Sequence, residues 1–223
     1  MRQTWTNLLF AHWPVPAEQL RPRIPPGLLL DLHDGTAWVG VVPFQMSHIS
    51  LRGIPDMPHL STFPELNVRT YVTKDGKPGV YFFSLDAARL AAVWAARIGT
   101  GLPYHWARMS CQRTGDRVSV RSRRRGPSGH PAIEVSYRPT GPASCAAPGT
   151  LESFLTERYC LYTVWASRLR RLEIEHPPWS LQAAEASWRT NTMLAPLGLS
   201  AKGRPLLHYA DRQDVVAWGL EKC

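Results

Sequence analysis

Proline or glycine interrupts this chain about every sixth residue, with 20 prolines and 16 glycines in 223 positions. Both residues break regular structure in element interiors, so the ordered segments between them must be short. Within those segments apolar and polar residues alternate with period two, the mark of half-buried strands. The clearest strands run from Leu8 to Trp13, Ala37 to Met46, Leu66 to Val72, Val80 to Ser84, Tyr104 to Cys111, Val118 to Ser122 and Ala132 to Tyr137. Asp75-Gly76 sits between the third and fourth of these, and Asp-Gly between two apolar runs predicts a hairpin that pairs them.

Helical patterns are fewer. Asp86 is placed to cap an Ala-rich run that reaches Ile98, with Gly99 to end it. A second helix is predicted from about Thr150 to Tyr159 and a short one after Pro16, over Ala17 to Leu20. The Ala-, Pro- and Gly-rich stretch from Gly141 to Thr150 reads as a long loop inside one domain that spans residues 1–223. A chain of this length can bury a sizeable core without disulfides or metal.

No segment approaches the roughly 20 apolar residues of a membrane span, and Met1 to Trp5 lacks the features of a secretion signal. The expectation is therefore a cytoplasmic protein with no membrane association. Cys111, Cys145, Cys160 and Cys223 form no CxxC pair and are read as reduced thiols. The eight histidines have no paired spacing that would hold zinc, so no metal and no cofactor is implied. Ser128, in Gly126-Pro127-Ser128-Gly129-His130, lacks the nucleophile elbow and reads as a turn.

The formal charge of +9 comes from 22 arginines against four lysines. Arg117, Arg121, Arg123, Arg124 and Arg125 lie along one predicted strand and its turn. Such a run is either a solvated, protected sheet edge or a phosphate-binding surface, and no aromatic platform is interleaved with it to stack bases. A non-enzymatic anion- or nucleic-acid-binding module built on residues 117–125 is the alternative reading, although nucleic acid is not the favoured partner.

Period two puts Glu65, Asn67, Arg69 and Tyr71 on one face of their strand and Leu66, Val68, Thr70 and Val72 on the other. If the first face lines a barrel lumen, an acid, an amide, a guanidinium and a phenol converge on one cavity. If not, it is the solvated face of an antiparallel sheet. Gly99-Thr100-Gly101 is no dinucleotide fingerprint, because the helix comes before it. Beyond it Tyr104 and His105 point to opposite faces, so only one of them reaches a given cavity.

Three stretches, Leu9 to Val15, Ala37 to Phe44 and Glu65 to Val72, together resemble the YqjF-like domain of unknown function (DUF2071), a branch of the acetoacetate-decarboxylase-like superfamily. The resemblance is most specific from Trp5 to Met109. Further on it rests on Phe154 to Tyr159, His176 to Trp179, His208-Tyr209 and Val215 to Trp218. It implies an α+β, mainly antiparallel fold: a cone-like β-barrel with a few flanking helices and an internal cavity. Decarboxylases of that superfamily use a paired lysine as Schiff-base catalyst. The similar stretch here is Pro103-Tyr104-His105, without either lysine. The resemblance matches the decarboxylase glutamate to Glu65, while a second acidic position falls near Val42.

The reading that follows is a small-molecule site, binding or catalytic, around Glu65, Asn67, Arg69, Tyr104 and His105, for a small anionic or carbonyl-containing ligand. Arg69 would hold an anionic group, Glu65 would serve as acid or base, and Tyr104 or His105 would donate hydrogen bonds; Glu65 and His105 are the catalytic candidates. Nine tryptophans keep an interaction or scaffold role, homo-oligomer included, open. Whether the protein is an enzyme is not written in the sequence.

Overall fold

The computed structural model describes residues 1–50, 62–125, 130–201 and 203–223. The turn read at Ser128 lies outside them, as do Lys202 and His59. The described strands are β1 (Arg2–Val15), β2 (Leu29–Leu30), β3 (Ala37–Ser50), β4 (Phe63–Lys74), β5 (Lys77–Ala87), β6 (Tyr104–Thr114), β7 (Arg117–Arg124), β8 (Ala132–Pro139), β9 (Cys160–Trp165), β10 (Arg168–Glu175), β11 (Gln182–Asn191) and β12 (Leu206–Lys222). Among the described residues three α-helices accompany them: α1 (Ala17–Leu20), α2 (Leu90–Thr100) and α3 (Leu151–Thr156).

The strands form one sheet that closes on itself twice. One ring runs β1-β3-β4-β5-β9-β10-β12, closed by the antiparallel β10–β12 and β12–β1 pairs. The other runs β1-β3-β4-β5-β6-β7-β8-β11-β12. Strands β12, β1, β3, β4 and β5 belong to both rings and form a common wall. All pairings are antiparallel except those of β5 with β6 and with β9.

A shared wall must be covered on both faces, which decides how the alternating strands are used. One face of β1, β3 and β4 sends Leu9, Ala11, Val39, Val41, Leu66 and Val68 into a core completed by Val118, Val120, Ile133 and Val135 of the nine-strand ring. The other face sends Leu8, Phe10, Val42 and Phe44 into a second cluster with Trp179. Burying each Val, Leu, Ile or Phe side chain among these contributes about 1.5–3 kcal/mol. The solvated-face reading of Glu65, Asn67, Arg69 and Tyr71 is therefore overturned, since these residues are 3, 6, 8 and 0% exposed.

Two local devices fix the closure. Asp75 and Gly76 both take left-handed backbone conformations, as a two-residue Asp-Gly hairpin turn requires, and join β4 to β5. Where β5 meets β9, a Cβ at Gly79 would lie 2.7 Å from Cys160 Sγ and 2.9 Å from the Cys160 carbonyl oxygen, so only glycine allows this approach.

The helix ends differ from the sequence reading. Asp86 does not cap a helix: β5 continues through it to Ala87, paired with Leu66 of β4, and the helix begins at Leu90. The carboxylate is instead buried against Arg124, a partner 38 residues away. Gly101, left-handed with its N–H on the Arg97 carbonyl, ends α2 in place of Gly99. Thr150 caps α3 by accepting from the Ser153 N–H, but α3 stops at Thr156, and Arg158 Nε donates to the Phe154 carbonyl at 2.7 Å.

The arginine-rich strand alternates as well. Arg117, Arg121 and Arg123 face outward while Arg124 turns in; Arg121 pairs with Glu134 at 2.9 Å, and Arg125 lies 4.2 Å over the Trp106 ring. Among the described residues no helix is long and apolar enough to cross a membrane.

Candidate functional site

The inner face of β4 points into the seven-strand ring and meets a cavity of about 40 Å³ there. Its wall takes Trp5, Leu8 and Phe10 from β1, Val42 and Phe44 from β3, Asn67 and Arg69 from β4, Val80 and Phe82 from β5, and Ile174 from β10. Thr156, Arg158, His176 and Trp179 come from α3 and the irregular segments beside β9 and β10. A buried water needs ~10–15 Å³, so the cavity suits an occupant of a few heavy atoms.

Polar capacity inside this wall exceeds what the protein uses. Arg69 donates through Nη2 to the Leu155 carbonyl at 3.0 Å and lies 5.4 Å over the Phe10 ring and 5.7 Å over the Tyr71 ring. Its Nε has no partner, and among the described residues no carboxylate lies within ion-pair distance of it. Asn67 Oδ1 and Trp179 Nε1 are likewise buried without a hydrogen bond within the protein. Arg158, by contrast, is paired with Asp31 at 2.6 Å. A buried guanidinium without a counter-charge is costly, and an anion on the cavity side would relieve that cost.

The five residues singled out in the sequence divide into three positions. Asn67 and Arg69 line the cavity. Glu65 and Tyr104 do not; they meet each other at the next inward position of β4, where the Tyr104 hydroxyl donates to Glu65 Oε2 at 3.1 Å. Burial pushes the Glu65 carboxyl up to about 8; the Tyr104 hydrogen bond opposes this and the nearby Asp86 carboxylate adds to it. Glu65 is thus an acid still protonated at neutral pH, and burial with Glu65 beside it holds the Tyr104 phenol well above its usual value. His105 points away, into a separate cleft with Arg97, Trp106, Arg124, Arg125 and His130.

Tyr71, the fourth residue of the inward face, supports the site from below. Its hydroxyl donates to the Leu155 carbonyl at 2.8 Å and lies 2.7 Å from His12 Nε2. Because the one hydroxyl proton is used on Leu155, His12 must donate from Nε2, which leaves Nδ1 bare and without a partner. Burial, then the charges of Arg69 and His208, keep His12 well below its usual pKa and therefore neutral.

Sequence reasoning did not assign Thr156, Arg158, His176 or Trp179 to the site. They lie in two of the stretches that carry the resemblance beyond residue 109, Phe154 to Tyr159 and His176 to Trp179; these two have no strand periodicity from which a face could be read. Of the lysines, Lys77 binds Glu173 at 2.6 Å and Lys74 binds Asp75 at 2.9 Å, and neither lines the cavity. Among the described residues no three His, Cys, Asp or Glu side chains gather closely enough to hold a metal ion.

Comparison with known proteins identifies the family and the fold of the chain. The chain is 44% identical over 223 residues to the uncharacterized protein YqjF of Bacillus subtilis (strain 168), covering all of this chain and 92% of that one. Solved structures share the fold at low identity. The enduracididine biosynthesis enzyme MppR complexed with pyruvate superposes with a TM-score of 0.68 at 13% identity, over 99% of this chain and 89% of that one. An acetoacetate decarboxylase-like enzyme from Sphingomonas wittichii RW1 gives 0.68 at 14%, over 100% and 92%. Acetoacetate decarboxylase from Legionella pneumophila gives 0.66 at 12%, over 98% and 85%. The family model DUF2071, described as an uncharacterized conserved protein, matches residues 2–214, and the chain belongs to that family, on an acetoacetate decarboxylase-like fold.

Proposed function

We propose that the inner cavity binds a small carboxylate carrying a carbonyl group, and that it does so without a Schiff base. The observation that carries this reading is Arg69: buried, lining the cavity, with a free Nε and no described carboxylate to pair with. A carboxylate placed there would gain a charge-assisted hydrogen bond from Arg69 and a donor from Trp179, while the Asn67 amide and the aromatic wall would orient its body. Glu65 lies one inward position further along β4, outside the cavity wall, where the Tyr104 hydroxyl engages it. A pyruvate complex is described for MppR, a protein of the same fold; a ligand of that class matches the small cavity here.

Residue chemistry supports a site without a Schiff base. The resemblance sets Tyr104 and His105 where the lysine pair would stand; a phenol has no amine, and imidazole forms no stable iminium. Lys74 and Lys77 are held in ion pairs at the β4–β5 hairpin, and Lys222 is exposed near the chain end.

Calorimetric titration with pyruvate tests the reading. Wild type is expected to bind; Arg69→Met should weaken binding about tenfold or more, the loss of a hydrogen bond to a charged group. Acetone, which keeps the carbonyl but lacks the carboxylate, should not bind, and this arm does not depend on how well the variant folds. Borohydride added to the pyruvate complex should leave the protein mass unchanged. Undiminished binding by Arg69→Met, binding of acetone, or a reduced covalent adduct would each overturn it.

A further inference from the structure

We infer a second ligand site, an oxyanion cleft on the other side of β6, built to take the doubly charged phosphate group of a small molecule. The cleft has a volume of about 250 Å³ and is lined by Arg97 of α2, His105 and Trp106 of β6, Arg124 and Arg125 at the end of β7, and His130. It shares no wall residue with the inner cavity. The alternation of β6 separates the two, since Tyr104 turns to Glu65 and His105 turns the opposite way.

Positive charge in this cleft is poorly compensated. Three guanidiniums face one described carboxylate, Asp86, and both oxygens of Asp86 are already engaged: Oδ1 with Arg124 Nε at 2.6 Å and Oδ2 with Ser122 Oγ at 3.2 Å. Arg124 Nη2 is buried with no hydrogen-bond partner within the protein. Arg97 spends Nε on the Tyr104 carbonyl at 2.6 Å, which fixes the direction of its fork, and Arg125 is fixed by its stacking on Trp106. His105, half-buried beside Arg124, Arg97 and His130, is neutral and offers one more donor or acceptor. Of the three positive charges one is neutralised by Asp86, and the remaining two match a phosphate dianion better than a monocarboxylate. The volume leaves room for a small organic body beside the phosphate.

The test uses the full chain purified without phosphate or sulfate. Inorganic phosphate is titrated by calorimetry at pH 7.5, with ionic strength held constant by sodium chloride, and dimethyl phosphate, a singly charged diester, is titrated in parallel. Phosphate is expected to bind wild type, with Arg97→Gln and Arg125→Gln each weakening it about tenfold or more. The diester should bind about tenfold or more weakly, which separates a small monoester ligand from the phosphodiester backbone of nucleic acid. Glu65→Gln, in the other site, should leave phosphate affinity unchanged. Arg125 is held by stacking rather than in the core, so its variant keeps the fold. Absence of binding, affinity unchanged in both arginine variants, or equal affinity for the diester would overturn the inference.

Discussion

Tyr104 donates its hydroxyl to Glu65 Oε2 at 3.1 Å inside the barrel, and this contact keeps the carboxyl of Glu65 at about 8 rather than higher. The folded state therefore holds a proton on Glu65 that the unfolded chain, with an ordinary value near 4.5, releases. A raised folded-state pKa contributes stability that is fully present below about pH 4.5 and is lost as pH rises through about 8. The slope within that window approaches about 1.4 kcal/mol per pH unit. Urea midpoints measured from pH 4 to 9 should fall across this window in wild type, and Glu65→Gln should remove that component. Tyr104→Phe should move the upper end of the window to higher pH. A pH dependence identical in wild type and Glu65→Gln would show that Glu65 ionises normally.

Asp86 and Arg124 form the most enclosed ion pair among the described residues, with side chains 0 and 8% exposed. Removing one partner leaves the other charge buried, so Arg124→Met should destabilise by about 3–5 kcal/mol at pH 7. Replacing both, as Asp86→Leu with Arg124→Met, should cost clearly less than the sum of the single changes. Chemical denaturation of the four proteins gives the coupling directly; additive costs would mean that the pair contributes no interaction of its own.

The same pair explains where the sequence stopped being legible. An aspartate before an Ala-rich run is what a helix cap looks like locally, and nothing within several residues reveals that Asp86 is taken by Arg124 in a strand two places away in the sheet. Seven of the twelve described strands, β1 and β3 to β8, could be read because alternation is local, and so could the opposite directions of Tyr104 and His105; β2 and β9 to β12 were not read. Alternation says which residues of β4 share a face, but not whether that face is wet. The answer depends on ring closure through β9, β10 and β12, whose pairings join residues as far apart in sequence as Val80 and Leu161 or Arg2 and Val216. Arg158, His176 and Trp179 lie in irregular backbone, where no period assigns a direction.

The hydroxyl of Tyr71 ties the wall of the cavity to its floor. It meets the Leu155 carbonyl near the C-terminal end of α3, a group left without an intrahelical partner, and Arg69 Nη2 donates to the same oxygen. Tyr71→Phe leaves Leu155 with Arg69 alone and leaves the His12 Nε2–H buried without an acceptor, so it should cost about 1–3 kcal/mol in denaturation. The arrangement also fixes the tautomer. Long-range ¹⁵N–¹H spectra of wild type should show His12 neutral at pH 6, protonated on Nε2 and bare on Nδ1. A proton on Nδ1 instead would require Tyr71 to donate to His12 and would release the Leu155 carbonyl to Arg69 alone. In that case the tyrosine would not hold α3, and Tyr71→Phe should leave pyruvate affinity as it is in wild type. With the Nε2–H tautomer, loss of the hydroxyl should loosen α3 beside Arg69 and weaken pyruvate binding along with stability.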